Sequence, residues 1–122
     1  MHSWIEDDAE VSAFLRSLDA TSFDDRILVA DARRVAIVER SALAAALPAR
    51  RAAFAAAGAA APRLTHAAAL PLDEHHVLVT ATWKAGQFDL ASTYLLRRTA
   101  DGLRAIAYVN HRDLKSARAA DT

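Results

Sequence analysis

The residues that could carry chemistry gather in two segments with the character of strands. The stretch "AIAYVNH" ends in Tyr108, Asn110 and His111, and "DLASTY" holds Asp89 and Tyr94. A histidine or a carboxylate in an apolar pocket can transfer protons, because burial and neighbouring charges move its pKa toward the working pH. His111 and Asp89 are therefore the candidates for a catalytic acid or base.

Strand alternation decides which of these side chains can meet. Tyr108 and Asn110 share one face of their strand, while His111 shares the other face with Ala105 and Ala107. Small side chains suit close packing against a helix, so we expect His111 at the mouth of a pocket on that face. The set with Tyr108 suits either a roomy pocket or a protein interface.

The other polar and aromatic residues each have two interpretations. Asp89 points inward if its face of the strand lines a pocket, and otherwise is solvated beside the "AGQ" turn. His66 could approach His111 across the sheet or face water, and Trp83 could belong to a core or an interface. The candidates for ligand binding are Trp83, Tyr94, Tyr108, Asn110 and His66.

Composition excludes several classes of function. Fifteen basic and fifteen acidic residues cancel, which argues against nucleic acid as a partner. Three glycines form no phosphate-binding loop, and the absence of cysteine removes thiolate chemistry. Histidine spacing matches no metal motif, so we expect neither a metal nor a cofactor. The acidic start "MHSWIEDDAE" and the lack of an apolar run of about 20 residues predict a cytoplasmic protein without a membrane partner.

The first half of the chain predicts two helices around a small hairpin. "SWIEDDAEVSAFLRSL" has a capping-box pair, Ser3 and Glu6, before an apolar stripe at helical spacing. "RILVADARRVAIV" alternates as two strands of a hairpin do. A second helix begins near Ser41, continues through an alanine-rich segment with Pro48 as a kink or a fresh start, and ends at Gly58.

The second half predicts a four-stranded meander. Four alternating segments are separated by short turns, at residues 63–72, 76–84, 88–98 and 103–111. Helices followed by a meander indicate an α+β domain, with a curved antiparallel sheet wrapped against the N-terminal helices. We expect a single domain over residues 1–114 and a polar tail at 115–122.

This order of elements resembles the nuclear transport factor 2-like superfamily, particularly its SnoaL-like branch. The residues that carry the resemblance are "LVADARRVAIVERSALAAAL", "LVTATWKA" and "STYLLRRTADGLRAIAYVNHRD". The resemblance implies a cone-shaped sheet with a cavity between sheet and helices, and pairing of two copies through the outer sheet face. Enzymes of the superfamily use an aspartate or histidine in the cone, often with a tyrosine on the first helix, and no tyrosine is present in that helix here.

Two functions remain open from the sequence. The first is a small-molecule-binding cone domain with a small hydrophobic ligand, which could act as a lyase or isomerase by general acid-base catalysis. The second is a non-catalytic homodimeric module that uses its sheet faces for packing. The sequence leaves undecided whether the protein is an enzyme. A homodimer through the outer face of the meander is expected, because a single-layer sheet leaves apolar residues there to cover.

Overall fold

The structure is a computed structural model that describes residues 3–56 and 62–112. Three side chains within those ranges are not part of the description: those of Arg50, Phe54 and Arg112. The expected α+β architecture, with two helices against a curved, open sheet, is confirmed. The predicted helix end at Gly58 and the predicted tail at 115–122 lie outside the described residues.

Seven strands and two helices make up the described chain. In order they are β1 (Ile5–Glu6), α1 (Ala9–Arg16), a 3-10 turn (Ala20–Ser22), β2 (Phe23–Ala30), β3 (Val35–Glu39), α2 (Arg40–Ala56), β4 (Arg63–Pro71), β5 (His76–Ala85), β6 (Phe88–Thr99) and β7 (Gly102–Arg112). The four strands of the meander agree with the predicted segments to within one residue at each end. Helix α2 includes Pro48, so no second helix begins there. Among the described residues, no helix has the length and apolar content that a membrane span requires.

The N-terminal segment differs from the predicted helix. The helix begins after Asp8, whose carboxylate accepts a hydrogen bond from the amide of Val11 at 2.9 Å, and not at a capping box on Ser3. Asp7 has a φ of 51°, and its amide donates to the carbonyl of Ala67 at 2.8 Å. This left-handed residue turns the chain away from β1, which pairs with β4 at one edge of the sheet.

The sheet has the strand order β1-β4-β5-β6-β7-β2-β3. The meander from β4 to β7 is antiparallel, as predicted, and β2 and β3 form the predicted hairpin. The unpredicted feature is the parallel pairing of β2 with β7, which adds the hairpin to the meander as one continuous sheet.

Two β-bulges in β7 break its simple alternation. Leu96 pairs with Ala105 and Leu95 pairs with Ala107, so Ile106 is an extra residue on β7. In the same way His111 is extra between two paired positions, Asn110 opposite Ser92 and Arg112 opposite Ala91. Each bulge bends the strand and changes which residues share a face.

The inner face of the sheet, defined as the face toward the helices, carries the core. Val11 and Leu15 of α1 pack there with Ile27, Val79 and Leu96, all of them buried. Val77 of β5 is buried in the same core. The inner and outer faces also differ in shape, because the sheet curves around α1 and α2 and leaves space beneath the helices.

Candidate functional site

A pocket of about 330 Å³ lies between the two helices and the inner face of the sheet. Leu15 of α1 and the half-buried Leu43 and Leu47 of α2 form its helical wall. Strands β2, β5, β6 and β7 form its floor. The volume is at the lower end of the range for small-molecule sites, about 300–1,000 Å³.

A pair of tyrosines forms the centre of the floor. Tyr94 and Tyr108 are directly opposite each other on β6 and β7, and their ring centroids are 5.1 Å apart with an interplanar angle of 34°. Tilted aromatic pairs at this distance attract each other and hold both rings in place. The two aromatic rings contribute apolar surface to the floor of the pocket.

Polar groups lie beside the tyrosine pair. Ser92, which is only 4% exposed, is directly opposite Asn110 across the two strands. The indole Nε1 of Trp83 donates a hydrogen bond to the hydroxyl oxygen of Ser92 at 2.8 Å. This bond fixes the plane of the Trp83 ring at the pocket wall, and the amide of Asn110 also lines the pocket.

Four of the five predicted ligand-binding residues come together around this pocket: Trp83, Tyr94, Tyr108 and Asn110. They come from three adjacent strands, and Tyr94 and Tyr108 face each other in register. The role of these four residues in binding a ligand stays a prediction. Their convergence on one pocket is a feature of the fold.

The predicted position of His111 at the pocket mouth is wrong. Its Nε2 lies 2.6 Å from the hydroxyl of Thr93. Thr93 is on the outer face of β6, because side chains alternate along the strand and its neighbours Ser92 and Tyr94 point inward. The bulge at Ile106 is the physical reason. Ala105 does pack against the helices, as expected, but the extra residue reverses the alternation, so Tyr108 and Asn110 point inward and His111 points outward.

Asp89 and His66 also lie away from the pocket. The Asp89 side chain is 75% exposed and forms an ion pair with Lys84 at 3.6 Å, beside the turn. His66 is exposed and lies between Glu6 and Asp7, with its Nδ1 3.1 Å from an Asp7 oxygen. Asp89 is therefore solvated and does not point inward. His66 faces water and does not approach His111, because two strands separate β4 from β7.

Two arginines line the pocket that the sequence analysis did not single out. Arg16 lies in the last turn of α1, and Arg51 lies on α2. Arg51 was detectable, since it follows Leu43 and Leu47 at intervals of four residues and so shares their helix face. Arg16 directly follows Leu15 and carries no such signal.

Asp19 contributes the carboxylate of the pocket lining. Its oxygen accepts a hydrogen bond from the backbone amide of Thr21 at 2.7 Å and another from the Thr21 hydroxyl. The hydrogen bond from the Thr21 hydroxyl, followed by that from the amide, lowers the pKa of Asp19 below its ordinary value. Asp19 is consequently ionised at neutral pH and occupied in capping the 3-10 turn.

Across residues 3–56 and 62–112, no group of three or more histidine or acidic side chains is arranged to hold a metal ion.

Comparison with solved structures identifies the fold of the chain. No protein-family model and no curated protein matches the chain. A DUF4783 family protein from Bacteroides ovatus superimposes with a TM-score of 0.58 at 10% identity, covering 87% of this chain and 94% of that one. A second, from Bacteroides uniformis, has a TM-score of 0.54 at 7% identity and covers 77% and 82%.

An NTF2-like protein with a cystatin-like fold, from Novosphingobium aromaticivorans, also superimposes on the chain. The TM-score is 0.51 at 19% identity, over 91% of this chain and 77% of that chain. The protein therefore has an NTF2-like, cystatin-like fold, in which a curved sheet wraps around helices. Identities this low establish the fold alone.

Proposed function

We propose that this protein is a small-molecule-binding cone domain of the SnoaL-like branch, and that its ligand occupies the pocket beneath α1 and α2. The observation that carries the proposal is the convergence of Trp83, Tyr94, Tyr108 and Asn110 on one pocket. Sites for small molecules combine a mostly apolar concave surface with a few polar groups that fix orientation. The tyrosine pair supplies the surface, and Ser92 and Asn110 supply the polar groups.

Binding is favoured over catalysis by the positions of the acid-base candidates. His111 and Asp89, the residues considered for proton transfer, lie away from the pocket. The carboxylate that does line it, Asp19, has a lowered pKa and is held by Thr21. A base works best when its pKa is near the operating pH, so Asp19 is poorly suited to abstract a proton.

The proposal is tested with N-phenyl-1-naphthylamine, a neutral fluorophore that brightens in apolar sites. We expect it to bind the wild-type protein. The substitution Leu47→Trp fills the pocket from the helical wall and should abolish the brightening. Ala46→Trp adds the same side chain at an exposed position of the same helix and should leave binding unchanged. Equal binding to both variants would place the fluorophore elsewhere and contradict the proposal.

A second candidate function is a homodimeric module, favoured by the outer face of the sheet. Six apolar residues follow one another in register across six strands there: Leu70, Leu78, Leu95, Ala107, Leu28 and Ile37. Ile37 is 70% exposed, and its neighbour Val35 is 66% exposed. The row has no charge, so two copies can place the same row together about a twofold axis without burying an ion. Dimerisation and ligand binding use opposite faces and are compatible.

A further inference from the structure

We propose that the pocket binds an amphipathic carboxylic acid, with its apolar body on the tyrosine pair and its carboxylate held by Arg16 and Arg51. This inference rests on the proposed function and names the chemical class of its ligand. It is carried by two arginines, Arg16 and Arg51, that line a pocket whose other lining residues are mostly apolar.

The two pocket arginines have no ion-pair partner among the residues that the structure describes. Ion pairs with a carboxylate are formed by Arg26, Arg40, Arg97 and Arg98. Within the same described residues, no ion pair is formed by Arg33, Arg34, Arg63 or Arg104 either, but these four do not line the pocket. Arginine presents a planar fork of donors that matches a carboxylate in geometry and charge. An unpaired guanidinium on each of the two helices therefore offers donors to an anion in the pocket.

The arrangement of the lining favours a ligand with one charged end and one apolar end. Arg51 lies on the helical wall one turn beyond Leu47, and Arg16 lies at the end of α1 next to Leu15. The sheet side of the pocket carries the rings of the tyrosine pair. A molecule with one anionic end and an apolar body can satisfy both sides at once, whereas a wholly apolar molecule leaves the guanidinium groups without an anion.

The charge balance favours a monoanion. Two arginines and the ionised Asp19 give the described lining a net charge of one positive unit. A carboxylate neutralises that charge, and a phosphate monoester, which carries nearly two negative charges near neutral pH, would leave an excess. Asp19 forms no ion pair with either arginine among the described residues, and its carboxylate accepts hydrogen bonds from Thr21.

The test uses three probes with the same ring: 1-naphthaleneacetate, its neutral amide 1-naphthaleneacetamide, and 1-naphthyl phosphate. Calorimetry gives the affinities, and the indole N–H resonance of Trp83 reports occupancy of the pocket. The chain has two tryptophans, so the variant Trp4→Phe assigns that resonance. The acid should bind about tenfold more tightly than the amide, since exposed guanidinium groups contribute charge-assisted hydrogen bonds.

Substitution of the arginines should remove that preference. In the variants Arg16→Gln and Arg51→Gln, the affinity for the acid should fall nearly to that for the amide, while the affinity for the amide is unchanged. Arg33→Gln, in the exposed β2–β3 turn, is the matched control and should behave as wild type. Raising the ionic strength should lower the affinity for the acid and leave the affinity for the amide unchanged. This measurement is made on the wild-type protein, so it does not depend on how the variants fold.

The outcomes separate the two proposals. Equal affinity for acid and amide, or a preference for the phosphate, overturns the inference and leaves the proposed function standing, provided that the Trp83 resonance moves. If no probe moves the Trp83 resonance, both the inference and the proposed function are contradicted.

Discussion

The hydrogen bond between Trp83 and Ser92 connects packing to the pocket at the level of single residues. Ser92 is buried on β6, where a hydroxyl group needs a partner, and the indole N–H supplies one. The same bond orients the Trp83 ring at the pocket wall. One contact therefore both satisfies a buried hydroxyl and positions a wall residue of the pocket. A change at Ser92 should therefore alter both stability and the Trp83 environment.

We predict that Ser92→Ala costs about 1 kcal/mol of unfolding free energy, because the partly buried Trp83 N–H loses its acceptor. The indole resonance of Trp83 should also shift. Urea denaturation and NMR measure the two effects. Thr93→Ala, on the outward side of the same strand, serves as the control and should leave the Trp83 resonance in place. A variant with unchanged stability and an unchanged resonance would show that the bond does not hold the ring.

Residue type could single out the pocket residues on β5 and β6, and alternation left open which face of the sheet they occupy. Tyr94 and Trp83 are aromatic side chains on strands paired without a bulge, and both line the pocket. On β7 the same rule failed for His111, because one extra residue at Ile106 changes the face of everything that follows it. A bulge is set by the pairing with the neighbouring strand, and that pairing is not visible in the periodicity of a single segment.

At the level of elements, α1 is tied to the sheet by one ion pair in addition to its apolar face. The Arg98 guanidinium on β6 donates to both oxygens of Glu10 on α1, at 2.8 and 2.9 Å. The hydrogen bond from Arg98 lowers the pKa of the Glu10 carboxyl. Because the folded pKa lies below the unfolded one, this pair stabilises the fold fully above the unfolded pKa, and the contribution disappears as pH falls through the folded pKa.

We predict that Glu10→Gln reduces the unfolding free energy by less than about 1 kcal/mol at neutral pH, because both partners are about half exposed. In strong acid the wild type and the variant should become equally stable. Urea denaturation at several pH values measures the difference. Glu74→Gln, an exposed residue of the β4–β5 turn, should follow the wild type throughout. A difference that persisted in strong acid would assign the effect to packing of the side chain and not to its charge.

The sequence was informative about the elements wherever local signals decide the structure. The strands β4 to β7 are separated by short turns and could be predicted almost to the residue. The start of α1 could not, because two competing caps are present: Ser3 with Glu6, and Asp8. The choice depends on β1 pairing with Ala68 and Ala69 of β4, a contact between segments far apart in the chain.

For the molecule as a whole, the outer face of the sheet is the surface on which the predicted homodimer depends. The apolar row from Leu70 to Ile37 crosses the sheet on the side away from the helices. Large exposed apolar patches on a folded protein mark interaction sites. A second copy of the chain would cover this row with its own.

We predict that the protein is a dimer at micromolar concentration and that Ile37→Glu converts it to a monomer. Ile37 is largely exposed in the single chain, so the substitution should not disturb the core. Sedimentation equilibrium measures the mass. Ala46→Glu adds the same charge to an exposed position on α2 and should remain dimeric. A wild-type monomer at that concentration would contradict the homodimer.

The parallel pairing of β2 with β7 has a consequence for how the chain folds. Val29 and Tyr108 are neighbours in the sheet, although almost the whole meander and α2 lie between them in sequence. Closing so long a loop costs conformational entropy before the contact contributes any stabilising free energy. Proteins rich in such contacts therefore fold slowly. During synthesis, β2 has only β3 beside it until β7 has left the ribosome. The buried Ile27 therefore lacks Val79 and Leu96, its core neighbours from the meander, until late in translation, and incompletely packed chains of this kind are prone to aggregation.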